Sequence, residues 1–228
     1  MIDTTIVIPA YGSLPLLRQC IESIMEYTDL TKIKVIVVCN GCDQDCKKYL
    51  SFRTFVKTVW FDEALGYPKA VNEGLKLVDT PYVILLNTDI ILLEQVQHTW
   101  VNTLLSPLKE NDNVVITGFS CIWMHFQPFF PFCHAALRMC AVKELGYLDE
   151  TFSPGYGEDA DFCFKAILAG YEGVLVGNKF RITKNNNTTP IYHQGQGSFG
   201  GETNYLSDRA YGILKERYNK KLFDSIAS

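Results

Sequence analysis

Four places along the chain gather side chains that can do chemistry. The first is Asn87-Thr88-Asp89, which ends the apolar run at 82–86. A carboxylate is costly to bury alone, so Asp89 calls for a cation, a hydrogen-bond donor or water beside it. The second is Glu158-Asp159, at the start of an amphipathic stretch over 157–171. The third is His193, followed by the glycine-rich run QGQGSFGG. Glycines there let backbone come close to a ligand. The fourth is CNGCDQDC, with Cys39, Cys42 and Cys46 at a spacing that hints at a metal or redox site. No second cysteine pair at matching spacing follows, so the structural reading of these thiols leads. The first three also have ordinary accounts. Asp89 can cap a helix, Glu158 and Asp159 can complement a helix dipole, and His193 can be a satisfied core histidine. Together, on a cleft-forming sheet, they favour a site.

The elements that must carry these residues alternate in the first half. Strands are predicted at 4–10, 34–41, 55–61 and 82–87, and helices at 13–27, 66–78 and 93–106. Continuous apolar strands between helices mean a mostly parallel sheet covered on both faces, an α/β fold. Ligands bind outside the carboxyl ends of such strands. The residues expected there are Pro9-Ala10-Tyr11, Asn40-Gly41 and Asn87-Thr88-Asp89, so Asp89 should edge a cleft. In the second half, 113–124 and 132–142 look like strands and 143–152 like a short helix and turn. The stretch 157–171 reads as a helix, and 190–201 as a short strand entering a glycine-rich loop. A last helix runs from about Glu202 to Tyr218. No repeat or linker divides the chain, so one domain over 1–228 is expected.

Composition sets outer limits. The chain has 228 residues, 47% apolar and 20% charged, enough for a real core. A net charge of −4 argues against a broad nucleic-acid footprint. The stretch 114–137 lacks acids, lysine and arginine and is long enough to cross a bilayer, but Pro128 and Pro131 would break a helix there. No secretory signal is legible at the start, so a cytoplasmic protein with reduced thiols is the expectation, and NNNTT at 185–189 is a polar loop. The fingerprints of dinucleotide-binding folds, P-loop NTPases and nucleophile-elbow hydrolases are all missing.

In their order, IVIPAYGSLPLLRQCIESI, VVCNGC, GYPKAVNEGL, YVILLNTD, LDETFSPGYGEDADFCFKAILAGY and YHQGQGSF resemble family 2 glycosyltransferases of the GT-A fold, within them the rhamnosyltransferase-like group. The resemblance covers nearly the whole chain. It implies a Rossmann-like, mostly parallel sheet with a small acceptor-side subregion. Residues of about 1–110 would bind the nucleotide and those of about 111–228 the acceptor. Pro9, Ala10 and Tyr11 would wall the base and ribose. Asn40 and Asp43 would sit where the base is read, the usual strand-end acid being Cys39 here. Gly66, Tyr67 and Asn72 would line the nucleotide-sugar pocket, with Lys69 near a phosphate. Asn87-Thr88-Asp89 resembles the family's D-x-D with Asn in first place. That makes Asp89 a metal ligand, with Asn87 and Thr88 beside the donor and His193 completing a Mn²⁺ or Mg²⁺ site. Glu158-Asp159 resembles the catalytic E-D pair, Asp159 being the general base and Asp161 structural or supporting.

The implied partners are a nucleotide-diphosphate sugar and a glycan or glycoconjugate acceptor, with peripheral membrane contact left open. The run at 193–201 would order over the donor or form a surface loop. Trp123, Phe126, Phe129 and Phe130 would stack on sugars, fill the core, or dock on a membrane or partner. Two rivals stand beside the enzyme reading. One is a sugar-nucleotide-binding module without turnover, part of a larger synthase. The other is a nucleotidyltransferase, for which PAYGSLPLLRQ is a poor loop.

Overall fold

The computed structural model describes residues 2–12, 14–124, 127–176, 189–195 and 202–224. Strands β1 (Thr4–Gly12), β2 (Ile33–Cys42), β3 (Val56–Phe61) and β4 (Tyr82–Leu86) are joined by helices α1 (Leu14–Tyr27), α2 (Gln44–Ser51) and α3 (Tyr67–Leu75). Then come β5 (Ile90–Leu92), α4 (Thr99–Glu110), β6 (Val114–Gly118), β7 (Ile122–Met124), β8 (Gln127–Phe129), β9 (His134–Arg138) and α5 (Met139–Leu145). A short 3₁₀ turn at Glu150–Phe152 leads to α6 (Glu158–Leu168), β10 (Glu172–Leu175), β11 (Ile191–His193) and α7 (Thr203–Asp224).

The main sheet runs β10-β6-β9-β4-β1-β2-β3. All its pairings are parallel except those of β9, which lies antiparallel between β4 and β6. Alternate residues of β1 face opposite layers, as strand geometry demands. Ile6 and Ile8 join Leu17 and Ile21 of α1 and Trp100 and Leu104 of α4. Val7 joins Val71 and Leu75 of α3 and Phe162 of α6 on the other face. Helix α3 comes so near β1 that a Cβ added to Gly74 would collide with Val7. Full burial of a residue such as Phe162 contributes about 1.5–3 kcal/mol.

Three expectations change. The helix expected at 93–106 starts at Thr99. The stretch before it is held by a partner far away in sequence: β5 pairs antiparallel with β11, and Leu93 N donates to Pro190 O at 2.9 Å. The unexpected α2 is only eight residues long and starts at an Asp43 cap. The stretches read as strands at 113–124 and 132–142 divide into β6 and β7, and into β9 and α5. Of the aromatic run, Phe129 and Phe130 are core residues, whereas Trp123 is 67% exposed on the separate β7–β8 hairpin. Phe126, the loop at 196–201 and residues 185–188 lie outside the described residues.

Candidate active site

A cleft of about 560 Å³ opens at the carboxyl ends of β1, β2 and β4, where a parallel sheet of this kind binds ligands. Its wall brings together Pro9, Tyr11, Asn40, Gly66, Tyr67, Asn87, Thr88, Asp89, Glu158, Asp159 and His193. Gly66 is needed by its backbone: φ is +85°, and an added Cβ would lie 3.0 Å from Pro154 Cα. That closeness lets Tyr67 N donate to Pro154 O at 2.7 Å, joining the two walls. The Tyr67 hydroxyl donates to Phe132 O at 3.0 Å.

Asp89 is 6% exposed. Its Oδ2 lies 3.1 Å from His193 Nε2. The β5–β11 ladder sets this meeting, with His193 opposite Ile90, and Gln194 N donates to Asp89 O at 2.9 Å. Gln194 also donates to Gln19 Oε1 at 2.7 Å, tying the end of β11 to α1. The hydrogen bond to Asp89 raises the His193 pKa, against the opposing effect of its burial. Asp89 Oδ1 is buried and has no hydrogen-bond partner among the described residues. A buried, unshared carboxylate oxygen beside an imidazole fits a divalent ion of the Mn²⁺ or Mg²⁺ kind, Mn²⁺ tolerating the nitrogen better. Among the described residues no group of three or more His, Cys, Asp or Glu is placed to hold an ion. The other coordination positions would therefore fall to substrate oxygens and water.

Glu158 and Asp159 open α6 after Tyr156 and Gly157, both in the left-handed region with φ 72° and 99°. Glu158 is 5% exposed, and its Oε2 has no hydrogen-bond partner among the described residues. Burial, and then the charge of Asp159, hold its pKa well above the ordinary carboxylate value and favour its protonated form. Asp159 is half-buried and accepts from Ala160 N at 2.8 Å. Burial pushes its pKa up to about 6, leaving it mainly ionised at pH 7. Two adjacent acids thus differ in environment: burial raises the pKa of both, and the charge of Asp159 raises that of Glu158 further. Asp161 does not line the cleft. It is fully buried and bonded to Arg217, Tyr218 and Lys165.

Four residues expected at the donor lie elsewhere. Ala10 is buried in the core under α1. Asp43 caps α2, accepting from Cys46 N at 2.9 Å. Lys69 is exposed on α3 and does not line the cleft. Asn72 is 3% exposed and clamps Leu148, donating to its O at 2.8 Å and accepting from its N at 3.0 Å. Ala10, Asp43 and Lys69 take their places from a strand, a capping motif and a helix turn, whereas Asn72 is engaged by Leu148, 76 residues away. Asn40 does line the cleft, but its Oδ1 is occupied by Leu65 N.

Gly195, from the glycine-rich run, lines the cleft, and so do Leu16, Ala64, Pro131, Cys133, Pro154 and Glu202, which were not singled out. Pro131 lies in the aromatic stretch at 121–132 and Cys133 directly after it; the position of the stretch was legible but not which residue faces the cleft. Glu202 carries no local signal at all. The cysteine trio reads as structural: Cys42 Sγ donates to Ala10 O at 3.1 Å and Cys46 Sγ to Gly12 O at 3.7 Å.

In shape the chain is similar to GalNAc-T7 solved with UDP, GalNAc and Mn²⁺, at 12% identity and TM-score 0.70 over 94% of this chain and 48% of that one. It is similar also to the mannosyltransferase PcManGT from Pyrobaculum calidifontis solved with GDP-Man and Mn²⁺, at 19% identity and TM-score 0.61 over 76% and 54%. Residues 1–349 of S. aureus TarS align at 17% identity and TM-score 0.56 over 73% and 56%. The chain spans about half the length of these solved chains. Identities this low speak to the fold, which is GT-A as the sequence led us to expect. No curated protein matches in sequence. Glycosyl transferase family 2 matches residues 5–141, more than half of the chain, and the chain belongs to that family.

Proposed function

We propose that the protein is a metal-dependent, inverting glycosyltransferase that moves a hexosyl unit, foremost rhamnosyl, from a UDP-linked donor to a hydroxyl of a glycan or glycoconjugate. The observation that carries this reading is the pairing of two carboxylates with different environments on one cleft. Asp89 has a buried oxygen, unshared among the described residues, next to His193, and Asp159 is an ionised acid on the segment at 154–159. Both reach Cys133 electrostatically: burial first, then Asp159 and Asp89, push that thiol's pKa up.

The chemistry explains why both acids are needed. An acceptor hydroxyl is a poor nucleophile, and Asp159 takes its proton as the new bond to the anomeric carbon forms. The bond to the donor phosphate breaks in the same displacement, its electron pair leaves on the diphosphate, and the configuration inverts. A divalent ion held by Asp89 and His193 would supply the charge that stabilises the departing diphosphate. Glu158, held toward its protonated form by burial and by the Asp159 charge, is the poorer base of the two. Tyr11, 48% exposed at the end of β1, offers a ring for the base.

Calorimetry of UDP binding, with and without Mn²⁺, on wild type and Asp89→Ala tests this. Binding that needs both Mn²⁺ and Asp89 supports the reading and leads to a screen of UDP-sugars. TDP and GDP in the same experiment separate a wrong base from a wrong function. Absence of binding by all three diphosphates sinks it.

A further inference from the structure

The residues from 154 to 159 form one wall of the cleft, and no regular element holds them until α6 begins. Tyr67 N holds Pro154 O at 2.7 Å from the opposite wall, and the flanks supply further support. Arg217 of α7 reaches both flanks at once. Its Nη1 donates to Asp149 Oδ2 at 2.6 Å and to Asp161 Oδ1 at 3.0 Å, and its Nη2 to Thr151 Oγ1 at 3.1 Å. The same guanidinium lies over the Phe152 ring, 5.2 Å from its centroid. Arg209, two helical turns earlier, donates from Nη2 to the carbonyls of Thr151 and Ser153, both at 2.9 Å. Tyr218 adds a bond to Asp161 Oδ1 at 2.7 Å. Ala210 packs so closely on Gly157 that an added Cβ there would lie 2.8 Å from the alanine methyl.

We propose that Arg217 and Arg209 are positioning residues for Asp159, so that the C-terminal helix α7 is a working part of the site. The inference rests on the reading of Asp159 as general base. Arg217 joins the segment before the cleft wall, at 149–151, to the helix after it, at 161. A planar fork of donors suits this bridging: it reaches three acceptors in fixed directions, where an ammonium would act as a single point charge. Asp161 is fully buried, so without Arg217 its carboxylate keeps, among the described residues, Lys165 and Tyr218. The first turn of α6, which carries Asp159, would then shift. A displacement near 1 Å costs a reaction about 100-fold. Nucleotide binding belongs to β1, β2 and β4 and should not respond. Both Asp159 and α7 lie outside the family match at 5–141.

The test compares wild type with Arg217→Ala, Arg217→Lys and Arg209→Gln. UDP affinity is measured with Mn²⁺, and turnover with the best donor of a UDP-hexose panel. For Arg217→Ala, kcat should fall about 10- to 100-fold while donor KM and UDP affinity hold. Added guanidinium should restore part of kcat, and Arg217→Lys should fall between. An unchanged kcat, or kcat and UDP affinity falling together without guanidinium rescue, overturns the proposal. If Arg217→Ala does not fold, Arg209→Gln carries the same comparison. If wild type turns over no UDP-hexose, the functional reading fails, and hydrogen exchange decides the inference. Arg217→Ala must then speed exchange at 150–161 and leave β1 to β4 unchanged; uniform or unaltered exchange overturns it.

Discussion

His193 Nε2 stands 3.1 Å from Asp89 Oδ2 across 104 residues of sequence. Neither residue can place the other locally. The antiparallel β5–β11 pair does so, and it leaves Asp89 Oδ1 unshared among the described residues.

That pair predicts a pH-dependent stability. Bonding to Asp89 raises the His193 pKa above its ordinary 6.5. A raised imidazole pKa stabilises fully below the ordinary value, and the contribution is lost as pH rises through the folded value. Without metal, His193→Ala should therefore melt below wild type at pH 5.5, and the gap should close by pH 9. With Mn²⁺ present, the same variant should bind UDP more weakly, by at least the roughly 10- to 100-fold that loss of a mere outer-shell partner costs. A melting gap independent of pH would reject the pairing.

Asp159→Asn should cut transfer by about 10²–10⁴-fold, the usual worth of a positioned base, with UDP and Mn²⁺ binding kept. The wild-type rate should rise with pH through about 6, as the carboxylate ionises. Stability runs the opposite way. An acid with a raised folded pKa stabilises when protonated and loses that contribution as pH rises past about 6. The Asn variant should thus melt above wild type at pH 7.5, with the difference vanishing toward pH 4. Full turnover by Asp159→Asn would remove this residue from the mechanism.

Gly157→Ala should destabilise the protein and slow the proposed transfer together. The glycine has φ +99°, and a Cβ would lie 2.8 Å from both Ala210 and the Phe152 ring. Left-handed strain and overpacking each cost about 1–3 kcal/mol. Thermal melts of Gly157→Ala, alone and with Ala210→Gly, should show partial recovery in the double variant, because Phe152 still obstructs. A single variant as stable as wild type would refute the packing argument.

Asn72→Ala should leave UDP affinity intact while lowering stability. It strands the buried N–H and C=O of Leu148, at a cost of about 1–3 kcal/mol. Denaturant titration reads the loss. A fall in UDP affinity at unchanged stability would instead return Asn72 to the donor.

The sequence made much of the frame legible. Apolar runs at 82–86 and 35–39 read as buried parallel strands, and their polar ends were expected to edge a cleft. Glu158-Asp159 at a helix start and Asp89 at a strand end were readable as a candidate site because burial there demands partners. The thiols of CNGCDQDC were readable as structural because no second pair matched them.

What the sequence alone did not reveal was competition for side chains. Asn72 and Asp43 carry groups that suit a nucleotide, but each meets a backbone partner first, Leu148 across the fold and Cys46 within a cap. Lys69 is turned out by its place on α3. The pairing of β5 with β11 and the grip of Arg217 on Asp149 and Asp161 join segments with no local pattern in common. Sequence determined which residues end strands and begin helices, because periodicity and backbone preference act over a few neighbours. Tertiary structure decided which of those residues face the cleft, because a hydrogen bond or a packed methyl group at long range forms only once the sheet has closed.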